Sequence, residues 1–413
     1  MFHSRMWPVT PVFTGHIHTM PSCYDQLCRP KTLRRAWKKL NKSNKFSHGF
    51  DNETIQKFKD RLDENIEKIS KKLKAKEYSF VPLRAKSIPK EGGGVRILRI
   101  PAVRDRVVLS ALKMLISPSF RKFDRPCSHG YVPDRSRFTA IGRIRELAAG
   151  GNKWVLEADI KKFFDTVPRW VLKEKFVKEI RIASILPIID QAIDIEVGNR
   201  EEFNPTEKEF LMAESGIPQG GVLSPMLANF YLSEFDLAME NAGFNLVRYA
   251  DDFVVMCQSK EEAKQAYALS LKILEQKLGL QIHHLGDPGN KTRIFPFSEG
   301  FTFLGIEFHG DRVVPARKAV ERFRSTIAET LDPAGEDSLL RVLTSLRNRL
   351  IGWGDACKPY HSTEIFQELD EHIRVALTRY LRGKGLLQGR EELSRKDVRF
   401  IGIPSLARFK QRP

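Results

Sequence analysis

Three aspartates stand where carboxylates are costly to keep. Asp159 ends the apolar stretch WVLEAD, and Asp251-Asp252 sits between LVRYA and FVVMC, two apolar runs that read as a hairpin with the acidic pair at its turn. An aspartate in a turn ordinarily hydrogen-bonds its own backbone or faces water. Here the flanking residues are apolar, unpaired charge is unfavourable, and a bound cation removes that cost. Carboxylates from two neighbouring strands suffice for magnesium, which takes one or two of them and completes its octahedron with water and phosphate oxygens. The chemistry that suits such a set is two-metal phosphoryl transfer, in which one ion activates a 3′-hydroxyl and the other holds the departing pyrophosphate.

The order of further blocks gives these residues a family context. YADDF (249–253) resembles the active-site motif of reverse transcriptases, a tyrosine, one variable residue and two aspartates. Around it run DIKKFFD (159–165), GIPQGGVLSPMLANFYL (216–232), LGLQIHHL with Lys291-Thr292-Arg293, and FTFLGIEF (301–308), in the family's order from the first palm strand onward. Upstream, IPKEGGGVRILRIPAVRDRVV (88–108) is similar to the fingers block of group II intron and related bacterial enzymes. The resemblance spans about residues 80–310.

The resemblance implies roles residue by residue. Asp159 and Asp251 would bind two Mg2+ ions, with Mn2+ as an alternative, Asp252 beside them and the Ile160 carbonyl as a backbone ligand. Phe164, five positions after Asp159, matches the steric gate that excludes a 2′-hydroxyl and selects deoxynucleotides. Core packing is the competing role for a Phe-Phe pair on a strand, and Phe163 is the reserve for the gate. Gln219 and Gly220 match the loop against the incoming nucleotide and template, and adjacent glycines permit the close backbone approach it needs. Lys90 and Arg96 match residues that clamp the triphosphate, Arg as a fork and Lys as a point charge. Lys291 matches a lysine near the phosphates and a general acid, solvent exposure being its other reading.

Elements must hold these residues in place. Apolar residues at 55, 58, 62, 66, 69 and 73 predict one amphipathic helix over 51–76. Residues 88–101 put three glycines between two β-prone stretches, a hairpin with a flexible tip. DRVVLSALKMLISPSF, residues 168–195 and LANFYLSEFDLAMENAG read as helices, and the strands between them predict an α+β, palm-like antiparallel sheet. Beyond Gly310 the pattern is helical again, over 315–330, 337–352 and 361–384. The domain expectation is a right-hand polymerase: a basic N-terminal extension (1–50), fingers (51–153), palm (154–310) with a helical insertion near 168–213, and a helical thumb (311–413). The thumb would grip primer–template duplex through phosphate contacts.

Composition agrees with such a partner. Among 413 residues, Lys and Arg number 69 against 51 Asp and Glu, a formal charge of +18 that suits a polyanion. No apolar run is long enough to span a membrane and the N-terminus has no secretory pattern, so a cytoplasmic location is expected. Five scattered cysteines argue for reduced thiols rather than a disulfide framework. A zinc site from His16, His18, Cys23 and Cys28 matches no common finger spacing.

The expected function is RNA-directed DNA polymerisation with an RNA template, a DNA primer or product and deoxynucleoside triphosphates. The chain ends without the DNA-binding and endonuclease domains of mobile intron proteins, so it resembles stand-alone enzymes that copy a dedicated, structured noncoding RNA in antiphage defence. Two alternatives stay open: a compact group II intron protein in retrohoming, and an RNA-binding maturase acting in splicing.

Overall fold

The computed structural model describes residues 21–89, 94–213, 215–289, 291–335, 337–357, 359–360, 362–387 and 391–409. Helices α1 (Cys23–Leu27), α2 (Pro30–Lys39), α3 (Ile55–Asp60) and α4 (Leu62–Lys74) precede a hairpin of β1 (Arg84–Pro89) and β2 (Val95–Ile100). Then come α5 (Val103–Phe120), α6 (Arg137–Ala149), β3 (Trp154–Asp159) and α7 (Phe163–Thr166). Helices α8 (Arg169–Glu179), α9 (Leu186–Ile193), α10 (Pro205–Met212) and α11 (Ser224–Asn241) lead to β4 (Asn245–Tyr249) and β5 (Asp252–Cys257). After α12 (Lys260–Leu271) follow β6 (Arg293–Pro296), β7 (Phe301–Phe303), β8 (Ile306–His309) and β9 (Arg312–Pro315). The last helices are α13 (Arg317–Thr330), α14 (Leu339–Cys357), α15 (Thr363–Gly383) and α16 (Arg395–Phe400). The chain is α+β.

It divides into two units, residues 1–126, 160–237 and 272–281 in one, and 127–159, 238–271 and 282–413 in the other. In the first, α2 packs on α4 and α5. Leu27, Leu33 and Ala36 are fully buried, so from Cys23 onward the segment expected as an appended arm belongs to a core. The helix expected over 51–76 is two helices broken at Arg61, whose φ of −121° and ψ of 38° leave the helical region. The Asn65 amide donates to the freed Phe58 carbonyl at 3.2 Å, which explains how the break is tolerated.

In the second unit a four-stranded antiparallel sheet runs in the order β4-β5-β3-β6. Side chains alternate along a strand, so Val155, Glu157 and Asp159 share one face of β3, and Asp252, Val254 and Met256 share that face of β5. The register pairs Val155 with Met256, Glu157 with Val254 and Asp159 with Asp252. The apolar end of this face packs under Ala140, Ile141, Ile144 and Leu147 of α6. The carboxylates occupy its other end.

The remainder of this unit holds a three-stranded sheet, β7-β8-β9, and the three long helices α13, α14 and α15. The small sheet extends to Pro315, so strand continues for one element past Gly310, where helix was expected. Leu346, Leu350, Leu369 and Leu377 are fully buried between the helices, and Phe323 stacks on Trp353 at 4.6 Å. None of the five cysteines forms a disulfide. Among the described residues no helix is long and apolar enough to cross a membrane.

Candidate active site

Asp159 is the last residue of β3 and Asp252 the first of β5, so the register sets one opposite the other at the open end of the sheet face. Ala250 and Asp251 form the connection between β4 and β5. Asp252 therefore begins the strand instead of sitting on the turn. Ala250 adopts a left-handed conformation, φ +59°, which tightens the reversal and places the acidic pair at the strand end. Tyr249 is the register partner of Asp252 on the other side.

The carboxylates line a cavity of about 590 Å³, walled by Glu157, Asp159, Asp252, Lys291, Arg293, Phe303 and Leu304 among others. Lys291 Nζ donates to Asp159 Oδ2 at 3.1 Å, and His283 Nε2 stands 3.9 Å from the same oxygen. Asp252 is exposed at the head of β5, yet protein around its carboxyl displaces part of its hydration. That loss, with the like charges of Asp251, Asp159 and Glu157, pushes its carboxyl up to about 7, against the opposing pull of Lys291. Burial likewise raises Glu157, opposed by Arg293, which donates to it at 2.6 Å while stacking on Phe295.

The donor set fits a small divalent cation. Its oxygens are hard ligands, the carboxylates repel one another, and an ammonium already stands against Asp159. Among the described residues no group of three or more His, Cys, Asp or Glu is placed to hold a metal ion. Magnesium, which keeps several waters, needs no such group.

The other sequence-predicted residues belong to the first unit. Lys162 takes a left-handed conformation, φ +48°, and starts α7, so the Phe-Phe pair lies on a short helix and not on the expected strand. Phe163 is buried at 1% exposure, so core packing falls on that ring, and Phe164 is partly exposed. The Phe164 carbonyl accepts the Ile217 amide at 2.8 Å, joining α7 to the loop of Gln219. Gln219 Nε2 donates to Asp165 Oδ1 at 2.9 Å, and its carbonyl accepts the Arg99 amide of β2 at 3.0 Å. Gly220 needs its positive φ of +90°. Arg96 is exposed on β2, paired in register with Ile88.

Ile160 directly follows Asp159 in the chain and its side chain is buried. Lys90 lies outside the described residues, as do His16 and His18 of the zinc reading. Cys23 begins α1 and Cys28, which is buried, caps its end.

Glu157, Arg293, His283 and Asp165 escaped the sequence reading. Glu157 had a signal, since the strand period of two puts it on the face of Asp159. His283 had none, because its approach to Asp159 depends on the fold.

A sheet with paired carboxylates at one strand end defines a candidate nucleotidyl-transfer site, and comparison with known proteins supplies the family. Residues 88–308 match the model for reverse transcriptase (RNA-dependent DNA polymerase), and the chain belongs to that family. Its class is that of an RNA-directed DNA polymerase. The chain is similar to protein YkfC of Escherichia coli, 28% identical over 322 residues, 68% of this chain and 80% of that protein. It is also similar to the group II intron-encoded protein LtrA of Lactococcus lactis, 32% identical over 216 residues, 52% of this chain and 34% of LtrA. The chain thus spans about a third of LtrA. A solved apo telomerase from Candida tropicalis aligns with a TM-score of 0.45 at 15% identity, over 81% of this chain and 64% of that one.

Proposed function

We propose that the protein extends a DNA primer with deoxynucleotides on an RNA template, with Asp159, Asp251, Asp252 and the Ile160 carbonyl as ligands for two magnesium ions. The observation that carries this reading is the register pairing of Asp159 with Asp252 at the open end of one sheet face. Ions held there would supply activation of the primer hydroxyl and charge stabilisation at the departing pyrophosphate. The protein's own contribution is positional. β3 and β5 fix Asp159 and Asp252, the β4–β5 connection carries Asp251, and Lys291 offers an ammonium beside Asp159 for phosphate oxygens. Phe164 presents a ring for the sugar C2′, Gln219 and Gly220 offer an ordered loop to the nucleotide and template, and Lys90 and Arg96 grip the triphosphate.

The test is extension of a labelled DNA primer on RNA by the wild type and by Asp159→Asn and Asp251→Asn variants that melt like the wild type. Extension lost in both variants supports the reading, and extension retained in either removes that residue from it.

For the template we propose a dedicated structured noncoding RNA copied in antiphage defence, in the cytoplasm. The net charge of +18 supports a long polyanionic template. Similarity to an intron-encoded protein favours a second reading, retrohoming or splicing of a group II intron. Sequencing the RNA that copurifies from the host separates them, since the intron reading requires intron RNA.

A further inference from the structure

Arg248, one residue before the Tyr249-Ala250-Asp251-Asp252 segment, is fully buried on β4 at 0% exposure. Nη1 donates to the Ala250 carbonyl at 2.8 Å, and Nη2 donates to Ser128 Oγ at 2.9 Å. The backbone is tied to the same partner segment. The Arg248 amide donates to the Cys127 carbonyl at 2.8 Å, and the Arg248 carbonyl accepts the His129 amide at 2.8 Å. Residues 127–129 thus lie as a parallel bridge beside the last turn of the strand.

The next residue closes the seat. Gly130 lies so near the turn that a Cβ there would stand 2.5 Å from the Ala250 nitrogen and 3.1 Å from the Tyr249 carbonyl carbon. Contacts of that kind are with backbone, which cannot swing aside. Ala250, meanwhile, holds a left-handed φ of +59° that a residue with a Cβ adopts only when its surroundings enforce it. Arg248 holds its carbonyl, and the absence of a side chain at Gly130 lets the neighbouring segment lie against its nitrogen.

We propose that Arg248 is a positioning residue: braced on Ser128 and Gly130, it fixes the left-handed turn through the Ala250 carbonyl and so sets how Asp251 and Asp252 are presented to the ions. This rests on the reading that these aspartates bind them. The fork of the guanidinium matters because two acceptors must be held at once, and a lysine offers one compact ammonium on a flexible stem. A role in packing alone would lower the amount of folded protein and leave the ion affinity of the folded fraction unchanged.

The test uses full-length wild type, Ser128→Ala, Arg248→Lys and Gly130→Ala on a primer–template ended in a dideoxynucleotide, with the next nucleotide present, so that nothing turns over. Mn2+ uptake is followed by loss of the free-ion EPR signal, and folding by thermal melting. The Mn2+ midpoint should rise roughly 3-fold in Ser128→Ala, as expected for one lost hydrogen bond. It should rise about 10-fold or more in Arg248→Lys and Gly130→Ala. Folded variants with the wild-type midpoint overturn the proposal. If Arg248→Lys and Gly130→Ala do not fold, Ser128→Ala decides it alone. An Asp251→Asn control separates the two readings. Wild-type Mn2+ uptake in that variant defeats the ligand assignment, whereas lost uptake there with unshifted midpoints in the others defeats only the role of Arg248.

Discussion

Lys291 holds one oxygen of Asp159, its ammonium 3.1 Å from Oδ2. The lysine lies well beyond Asp159 in the chain, and the approach of β6 to β3 brings the two together. A cation at this oxygen both offsets the clustered carboxylates and competes with any metal ion for the same lone pairs.

Replacing Lys291 with Met should therefore have opposed effects. Turnover should fall by about 100-fold or more, the contribution of a general acid. The half-saturating Mg2+ concentration should fall rather than rise, because a repelling charge has gone. Steady-state extension across a Mg2+ series reads both, and an increased Mg2+ requirement would contradict the competition.

The two adjacent phenylalanines should separate cleanly. Phe163→Ala removes a ring that is 1% exposed and should cost roughly 3–5 kcal/mol of stability. Phe164→Ala should melt within a few degrees of the wild type and incorporate ribonucleotides with a much smaller penalty. Melting curves and competitive incorporation of matched ribo- and deoxynucleotides check the pair. An unchanged sugar preference in Phe164→Ala would pass the gate to another residue.

Asp165 and Gln219 should act as a unit. Their hydrogen bond of 2.9 Å joins α7 to the Gln219 loop. Asp165→Ala and Gln219→Ala should each raise the nucleotide KM by about 5- to 10-fold, in line with one polar contact of about 1 kcal/mol. The double variant should be little worse than either single one. Multiplying effects would show that the residues act independently.

Acid should weaken the second unit through His129. Burial, with Arg135, Arg143 and Arg248 nearby, lowers its imidazole to about 4, whereas an unfolded histidine titrates near 6.5. The folded form thus binds fewer protons, so the stability this group contributes is present above about pH 6.5 and is lost as pH falls toward 4. At pH 5 the loss is on the order of 2 kcal/mol relative to pH 7.5. His129→Gln should flatten the decline in melting temperature between these two values. An equal decline in wild type and variant would assign acid sensitivity elsewhere.

Much of the site was legible because its signals are local. The three aspartates interrupt apolar strands, and strand period and turn chemistry place two of them without knowledge of the tertiary fold. The C-terminal helices were legible for the same reason, since each carries a regular buried stripe. What escaped depends on contacts distant in sequence or on small backbone departures. Arg61 interrupts a helix whose apolar spacing continues through it. Lys162 turns left-handed and moves Phe163 and Phe164 from strand to helix. Asp165 became informative only when the Gln219 loop folded against it. Arg248 looks in sequence like one more basic residue, and its burial against Ser128 and Ala250 gives it a different meaning.

The central claim is that Asp159 and Asp252, paired across β3 and β5, serve templated DNA synthesis. The most direct measurement is single-turnover addition of one deoxynucleotide to a DNA primer on RNA, comparing the wild type with folded Asp159→Asn and Asp252→Asn. The wild type should add the templated nucleotide, and both variants should lose about 1,000-fold or more, as expected when charge stabilisation at the reacting phosphate is removed. Addition by either variant at near the wild-type rate, or none by the wild type across RNA templates with Mg2+ or Mn2+, would contradict it.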